Sequence, residues 1–201
     1  MPFNHNHHYH PLLLRHVPES ARTALDVGCG TGAFARKLAA GLRVEAMDRD
    51  AEVIEAARAL GSPGPREITY RHEDVLETRL ATYDFISCLA SLHHVPFETV
   101  GLLRKALAPG GVLAILGLAK PRSAADWAKW LVMSPPLNLA ARLVVHLGEW
   151  LNGGPDPVVA APVRDETMTM TQVRRQSDVL LPGHTVRPLL FWRYLVVYRA
   201  S

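Results

Sequence analysis

The chain has 201 residues, 48% of them hydrophobic and 20% charged, which suits one α/β domain with a complete core and is short for two. A formal net charge of +3, from 22 Lys+Arg against 19 Asp+Glu with no basic stripe, argues against a nucleic-acid partner, and the Arg174-Arg175 doublet reads as a solvated helix face. No apolar run approaches the ~18–20 residues of a membrane span, Met1 to His10 lacks the order of a signal peptide, and Cys29 and Cys88 form neither a metal nor a disulfide framework, so the expectation is a cytoplasmic protein without stable membrane insertion.

In chain order, His5, His7, His8 and His10 alternate with Asn on what reads as a mobile terminus, with no second cluster to complete a metal site. Thr23 to Val27 is a short apolar run stopped by Gly28, as expected of a buried parallel strand. Ala33 to Leu42 carries Phe34, Leu38 and Leu42 at helical spacing, and Val44 to Met47 reads as a second strand. Asp50 caps a helix over Ala51 to Leu60 that Gly61 stops. Ile68 to Arg71 and Tyr83 to Cys88 are the third and fourth strands. Phe97 to Ala108 reads as a helix ended by Pro109-Gly110-Gly111, and Val112 to Leu118 as a fifth strand. This alternation predicts a doubly wound, mostly parallel α/β sheet.

The last third departs from that rhythm. Leu137 to Leu151 repeats apolar residues at helical spacing, within a segment 120–162 that the fold does not require and that holds Trp127, Trp130, Met133 and Trp150. It reads as a helical insertion: a roof over a substrate pocket, a homodimer face or a membrane-surface element, with the roof favoured. Thr171 to Leu181 is helical, stopped by Pro182-Gly183. Thr185 to Leu190 and Trp192 to Tyr198 are strand-like and too close together for a crossover helix, so any pairing between them is antiparallel. One domain over 1–201, with an N-terminal lid over 1–19, accommodates all of this.

The strongest chemical signal is Leu25-Asp26-Val27-Gly28-Cys29-Gly30-Thr31-Gly32, a strand ending in close-set glycines and opening a helix, where backbone can approach a ligand that any Cβ would meet. Asp48 closes the second strand, where a carboxylate can accept from both hydroxyls of a ribose. Spacing alone leaves the nucleoside open, because Gly28, Gly30 and Ala33 also satisfy the dinucleotide pattern and Asp48 stands where an NAD-binding acid would.

The wider set of motifs resembles the class I S-adenosylmethionine (SAM)-dependent methyltransferases. Asp26 to Gly32 resembles their first motif, Asp48 their ribose acid, and Asp74 in His72-Glu73-Asp74-Val75 their adenine contact. Tyr83-Asp84 leading to Cys88, then Leu92-His93-His94-Val95, is similar to their fourth-strand segment. Leu107-Ala108-Pro109-Gly110-Gly111 is similar to the turn before their fifth strand, and the closing antiparallel pair to their C-terminal strands. Tyr9-His10-Pro11-Leu12-Leu13 resembles the start of small bacterial members of this family.

The resemblance implies a seven-stranded sheet, SAM as cofactor without a metal, and a site assembled as follows. Backbone at Gly28, Cys29 and Gly30 would approach the methionine moiety, and Asp26 would orient that loop or hold the amino group. Asp48 would take the ribose, with Arg49 flanking the adenine. Asp74 and the Val75 amide would meet the adenine edge, Cys88 and Leu89 would offer carbonyls, and Tyr9 would close over the cofactor. His93 or His94 is the candidate general base if the acceptor carries a proton to lose. The implied activity is methyl transfer to a small-molecule O, N or C nucleophile. A SAM-binding protein without transferase activity and an NAD-dependent oxidoreductase are the competing readings. Cys88-Leu89-Ala90-Ser91 is unlike the Asp/Asn-Pro-Pro-aromatic run of DNA amino-methyltransferases.

Overall fold

A computed structural model describes residues 5–62, 66–89, 92, 95–119, 168–189 and 193–201. The segment 120–162 and both candidate bases, His93 and His94, lie outside these residues.

Helix α1 (His5–Leu14) is followed by β1 (Thr23–Val27), α2 (Ala33–Leu38), β2 (Arg43–Asp48), α3 (Ala51–Leu60) and β3 (Ile68–His72). Then come β4 (Tyr83–Leu89), α4 (Thr99–Lys105), β5 (Leu107–Leu118), α5 (Met170–Leu180), β6 (Thr185–Pro188) and β7 (Arg193–Arg199). The seven strands form one sheet in the order β3-β2-β1-β4-β5-β7-β6. β1 to β5 run parallel, and β7 lies antiparallel between β5 and β6. The strand-like runs of the C-terminus therefore do pair with each other.

Alternation along each strand feeds two apolar layers. Ala24 of β1, Phe85 of β4 and Leu116 of β5 face α1, α2 and α3, where they pack with Leu13, Phe34 and Ile54. Leu25, Ile86 and Ile115 face the other side and meet Leu103 of α4 and Val173 of α5. Helices on both faces explain why the central strands read as continuous apolar runs.

Three expectations need correction. The histidine-rich start is no loose tail: residues 5–14 form α1, and Tyr9 and Leu13 are 6% and 0% exposed, within the core beside α2. Among the described residues no group of three potential ligands stands close enough to hold a metal. The second helix stops at Leu38 rather than Leu42, its final turns relaxing into Ala40-Gly41 before β2.

The largest change is at Leu107, where the chain is already strand rather than helix. The Tyr83 amide donates to Ala106 O at 2.9 Å, and the Gly110 and Ala200 amides tie Pro109-Gly110-Gly111 to the end of β7. The turn motif thus becomes a bulge inside β5, seen as a register shift between Tyr83 and Phe85 of β4. Backbone partners on both sides decided against the helix.

Candidate functional site

The order of strands reverses between β1 and β4, which leaves a crevice beyond their carboxyl ends. Register brings the relevant ends level: Val27 stands opposite Met47 of β2 and Cys88 of β4, and Asp48 opposite His72 of β3. The glycine loop, Asp48, Cys88 and Leu89 all arrive at this edge.

The loop after β1 is pinned from β2. The Gly28 and Cys29 amides both donate to Met47 O, at 2.8 and 3.0 Å, and the Gly32 amide closes back on Cys29 O at 2.9 Å. Arg36 of α2 donates from Nη1 to Thr31 O at 2.6 Å.

Two glycines in this loop have different work. At Gly32, φ is +77°, and an added Cβ would lie 2.4 Å from the Tyr70 hydroxyl oxygen, so this glycine serves packing. At Gly30, φ is +53°, and an added Cβ would meet nothing within 4 Å. The open side of Gly30 is where a ligand can reach main chain.

Asp48 is fixed by the backbone it serves. Its Oδ2 accepts from the Gly30 amide at 2.9 Å, and its Oδ1 from the Asp50 amide at 3.1 Å. Each oxygen keeps a second lone pair for a vicinal diol. Asp50 in turn caps α3, its Oδ1 accepting from Glu52 and Val53 amides. Arg49 is exposed, and its carbonyl lies 3.1 Å from His72 Nε2.

Asp26 lies beneath the loop, 2% exposed, directly opposite Ser87 of β4. The Ser87 hydroxyl donates to Asp26 Oδ1 at 2.7 Å. Burial, opposed by that hydrogen bond and aided by the nearby Asp48 carboxylate, raises the Asp26 pKa to about 7. Cys29, in the same turn, has its thiol pushed far above its usual range by burial and by Asp26 and Asp48, so it stays a neutral thiol.

Asp74 leads the turn after β3. Its Oδ1 accepts from the Leu76 amide at 2.9 Å, so it does cap this turn, and its other oxygen has no hydrogen bond among the described residues. The Val75 side chain is buried in the core, and its amide has no partner among the described residues. Arg71 clamps the turn: Nε and Nη2 donate to the two oxygens of Glu73 at 2.9 and 2.7 Å, while Nη1 reaches Glu45 of β2 at 2.9 Å. Thr78 adds a hydrogen bond to Glu73 at 2.7 Å. Sequence reading missed both Arg71 and Ser87.

Tyr83-Asp84, by contrast, lies at the opposite end of the sheet. Asp84 Oδ2 accepts from the Arg22 amide, the Thr23 amide and the Thr23 hydroxyl at 2.8, 3.0 and 3.0 Å, locking β4 to the start of β1. These bonds hold its carboxyl below the usual range. Its place is structural.

An open glycine cradle, a backbone-anchored acid at the adjoining strand end and a buried acid acted on by no cationic side chain among the described residues together fit an adenosyl ligand that carries positive charge. The fold is of the doubly wound class, closed by an antiparallel strand, and the crevice at its switch point is the candidate nucleoside site.

Residues 24–111 match a methyltransferase-domain family model. The chain is 33% identical over 205 residues to an uncharacterized methyltransferase of Mycobacterium bovis, covering 99% of this chain and 98% of that protein. It is 37% identical over 107 residues to the ubiquinone biosynthesis O-methyltransferase of Xylella fastidiosa, covering 50% of this chain and 44% of that one. Among solved structures, a SAM-dependent methyltransferase from Methanosarcina mazei superposes with a TM-score of 0.64 at 17% identity, covering 94% of this chain and 97% of that one.

The chain belongs to the class I SAM-dependent methyltransferase family. That membership decides between the nucleosides which loop spacing left open. Among the described residues no helix is long and apolar enough to cross a membrane.

Proposed function

We propose that this methyltransferase acts on a small-molecule nucleophile and holds its cofactor between the glycine loop and the acids after β1, β2 and β3. The observation that carries the reading is the anchoring of Asp48. Amides of Gly30 and Asp50 fix its two oxygens, which supports a ribose-accepting carboxylate that needs no further reorganisation.

Bound SAM supplies a methyl carbon already activated by the adjoining sulfonium. The protein's own contribution is chiefly alignment, for which effective molarities of ~10⁵ M and above are attainable. Asp48 holds the ribose hydroxyls, and Arg49 flanks the base. Asp74, with its spare oxygen, and the Val75 amide offer an acceptor and a donor to the adenine edge. Main chain at Gly28, Cys29 and Gly30 borders the amino-acid portion, with Cys88 and Leu89 on the β4 side and Asp26 below. Tyr9, buried against α2, secures the helix that precedes the loop and closes over the cofactor from there.

For an acceptor that carries a proton, His93 or His94 takes it as general base, a step worth ~10²–10⁴-fold where it applies. The modest charge supports a small molecule over a nucleic acid.

The test is direct titration with SAM, S-adenosylhomocysteine and NAD, followed by detection of S-adenosylhomocysteine formed from SAM with fractionated small-molecule extract. Selective adenosyl-sulfur binding and turnover are expected. Equal affinity for NAD would overturn the assignment of the site, and turnover only with nucleic acid or protein acceptors would overturn the acceptor class.

A further inference from the structure

Asp26 and Ser87 are partners in the register of β1 and β4, the two strands that flank the crevice. Both are buried, 2% and 0% exposed, and their side chains meet at 2.7 Å. The same hydroxyl lies 3.3 Å from Leu25 O, so its rotor is held between two acceptors.

The surroundings of this carboxyl are hostile to a negative charge. Asp48 faces it from β2, and the Cys29 thiol and Tyr70 phenol, both held neutral in part by the Asp26 charge itself, bring no compensating positive charge. Arg36 of α2 acts on Cys29 and Tyr70 but not on Asp26, whose favourable partners among the described residues are the Ser87 hydroxyl and the Ala35 backbone. A carboxyl so placed is still half-protonated near neutral pH, and an arriving positive charge favours release of that proton.

We propose that Ser87 is a positioning residue for the cofactor: it aims the Asp26 carboxyl at the site of a ligand ammonium, and binding exchanges the Asp26 proton for that charge. The O–H bond of the Asp26 carboxyl breaks, its proton passes to solvent, and the carboxylate is retained beside the ligand's α-ammonium. No oxidant or further reactant is needed. The inference rests on the adenosyl reading of the site given above.

Isothermal titration with S-adenosylhomocysteine, which carries the same α-ammonium as SAM, tests this between pH 5.5 and 8.5. Repeating it in buffers of different ionisation enthalpy counts protons. In wild type, affinity is expected to rise with pH, with up to one proton released per ligand below the midpoint.

Ser87→Ala removes a hydrogen bond to the charged form, so its profile is expected to move upward by about one pH unit. Binding at pH 7 then weakens about fivefold, while the two curves converge at the alkaline end. A merely structural defect would lower affinity equally at every pH. Ser87→Thr keeps the hydroxyl and restores the profile. Asp26→Asn, which keeps the volume, removes both the pH dependence and the proton release.

Superimposable profiles for wild type and Ser87→Ala would overturn the role of Ser87, and pH-independent binding without proton release by wild type would overturn the exchange. Absence of binding by wild type at any pH would overturn the adenosyl reading itself, and this inference with it.

Discussion

Tyr70 of β3 stands so close to Gly32 that a Cβ on the glycine would lie 2.4 Å from the phenol oxygen and 2.8 Å from the ring. The phenol is buried in the core beside Arg36 of α2, so it cannot swing out without opening that core. Gly32→Ala therefore adds overpacking of ~1–3 kcal/mol to the strain of a left-handed backbone, and its first effect is a lowered melting temperature. Gly30→Ala meets no neighbour among the described residues, so its folded-state cost is about 1 kcal/mol from φ alone, while on the proposed reading its methyl group would enter the cofactor's space. Thermal melts with and without SAM separate the two. Gly30→Ala is expected to melt near wild type and lose most of the SAM-induced rise, whereas Gly32→Ala melts several degrees lower and still responds to SAM.

The two buried or anchored aspartates of the central strands pull stability in opposite directions with pH. Asp26 has a folded-state pKa of about 7, above the value of 3.8 for an unperturbed carboxyl, so the folded state binds the extra proton between them. Stability of the free protein then falls as pH rises from about 4 to about 7. Asp84 is held below the usual value by the Arg22 and Thr23 amides. Its contribution is present above an unfolded pKa near 3.9 and is lost as pH falls through the lowered folded value. Asp26→Asn should flatten the decline between pH 4 and 7 and raise the melting temperature at pH 8, at about 2–4 °C per kcal/mol for a chain this size. Asp84→Asn should lower it at pH 7 and converge with wild type in strong acid. Melting curves across pH 3–8 decide both signs.

These two aspartates also show how much of the protein is legible in its sequence. Asp26, Asp48 and Asp74 could be placed because each sits at a strand end marked by glycine or by a change of pattern, within one local stretch of chain. Ser87 could not. Its value comes from standing opposite Asp26, 61 residues away, and that register is set by packing rather than by any motif. Arg71 reads as an ordinary strand residue until β2 brings Glu45 beside it. Tyr83-Asp84 was legible as part of the fold, yet its work in securing β1 depends on the same long-range pairing. Pro109-Gly110-Gly111 carries a strong local stop signal. The ends of β4 and β7 turned it into a bulge, an outcome that local propensity cannot anticipate.

His93 and His94 follow β4 closely in the sequence, and separate substitutions can tell their proposed roles apart. Replacing the general base by alanine should lower kcat by ~10²-fold or more with SAM affinity unchanged. If the other only supports the loop, its loss should leave kcat within a few-fold. Single-turnover rates with saturating SAM, measured from pH 6 to 9, supply the check. The base's variant should also lose the acidic limb of the profile, since an imidazole must be neutral to accept a proton. Full activity in both variants would remove the histidines from the chemistry.

Arg71 gives a prediction of a different kind, because it touches the site only through Glu73. Its guanidinium grips both Glu73 oxygens and one oxygen of Glu45, and Thr78 completes the hold on Glu73. Asp74 and Val75 are the next two residues, so on the proposed reading the adenine edge would inherit its position from this clamp. The pair is partly solvated, with side-chain exposures of 24% for Arg71 and 37% for Glu73, so its net worth to folding is small, about 1 kcal/mol or less. Arg71→Met keeps the length of the apolar stem and removes every donor. It should leave the melting temperature within a few degrees of wild type, yet raise the KM for SAM by about three- to tenfold, with kcat little changed. Arg71→Lys supplies one charged donor but not the planar fork, so it should recover only part of the loss. The turn would then be held by a point contact, free to pivot about Glu73. Initial rates across a range of SAM concentrations measure the split. A KM equal to wild type in Arg71→Met would mean that Thr78 and the Asp74–Leu76 hydrogen bond suffice to hold the turn.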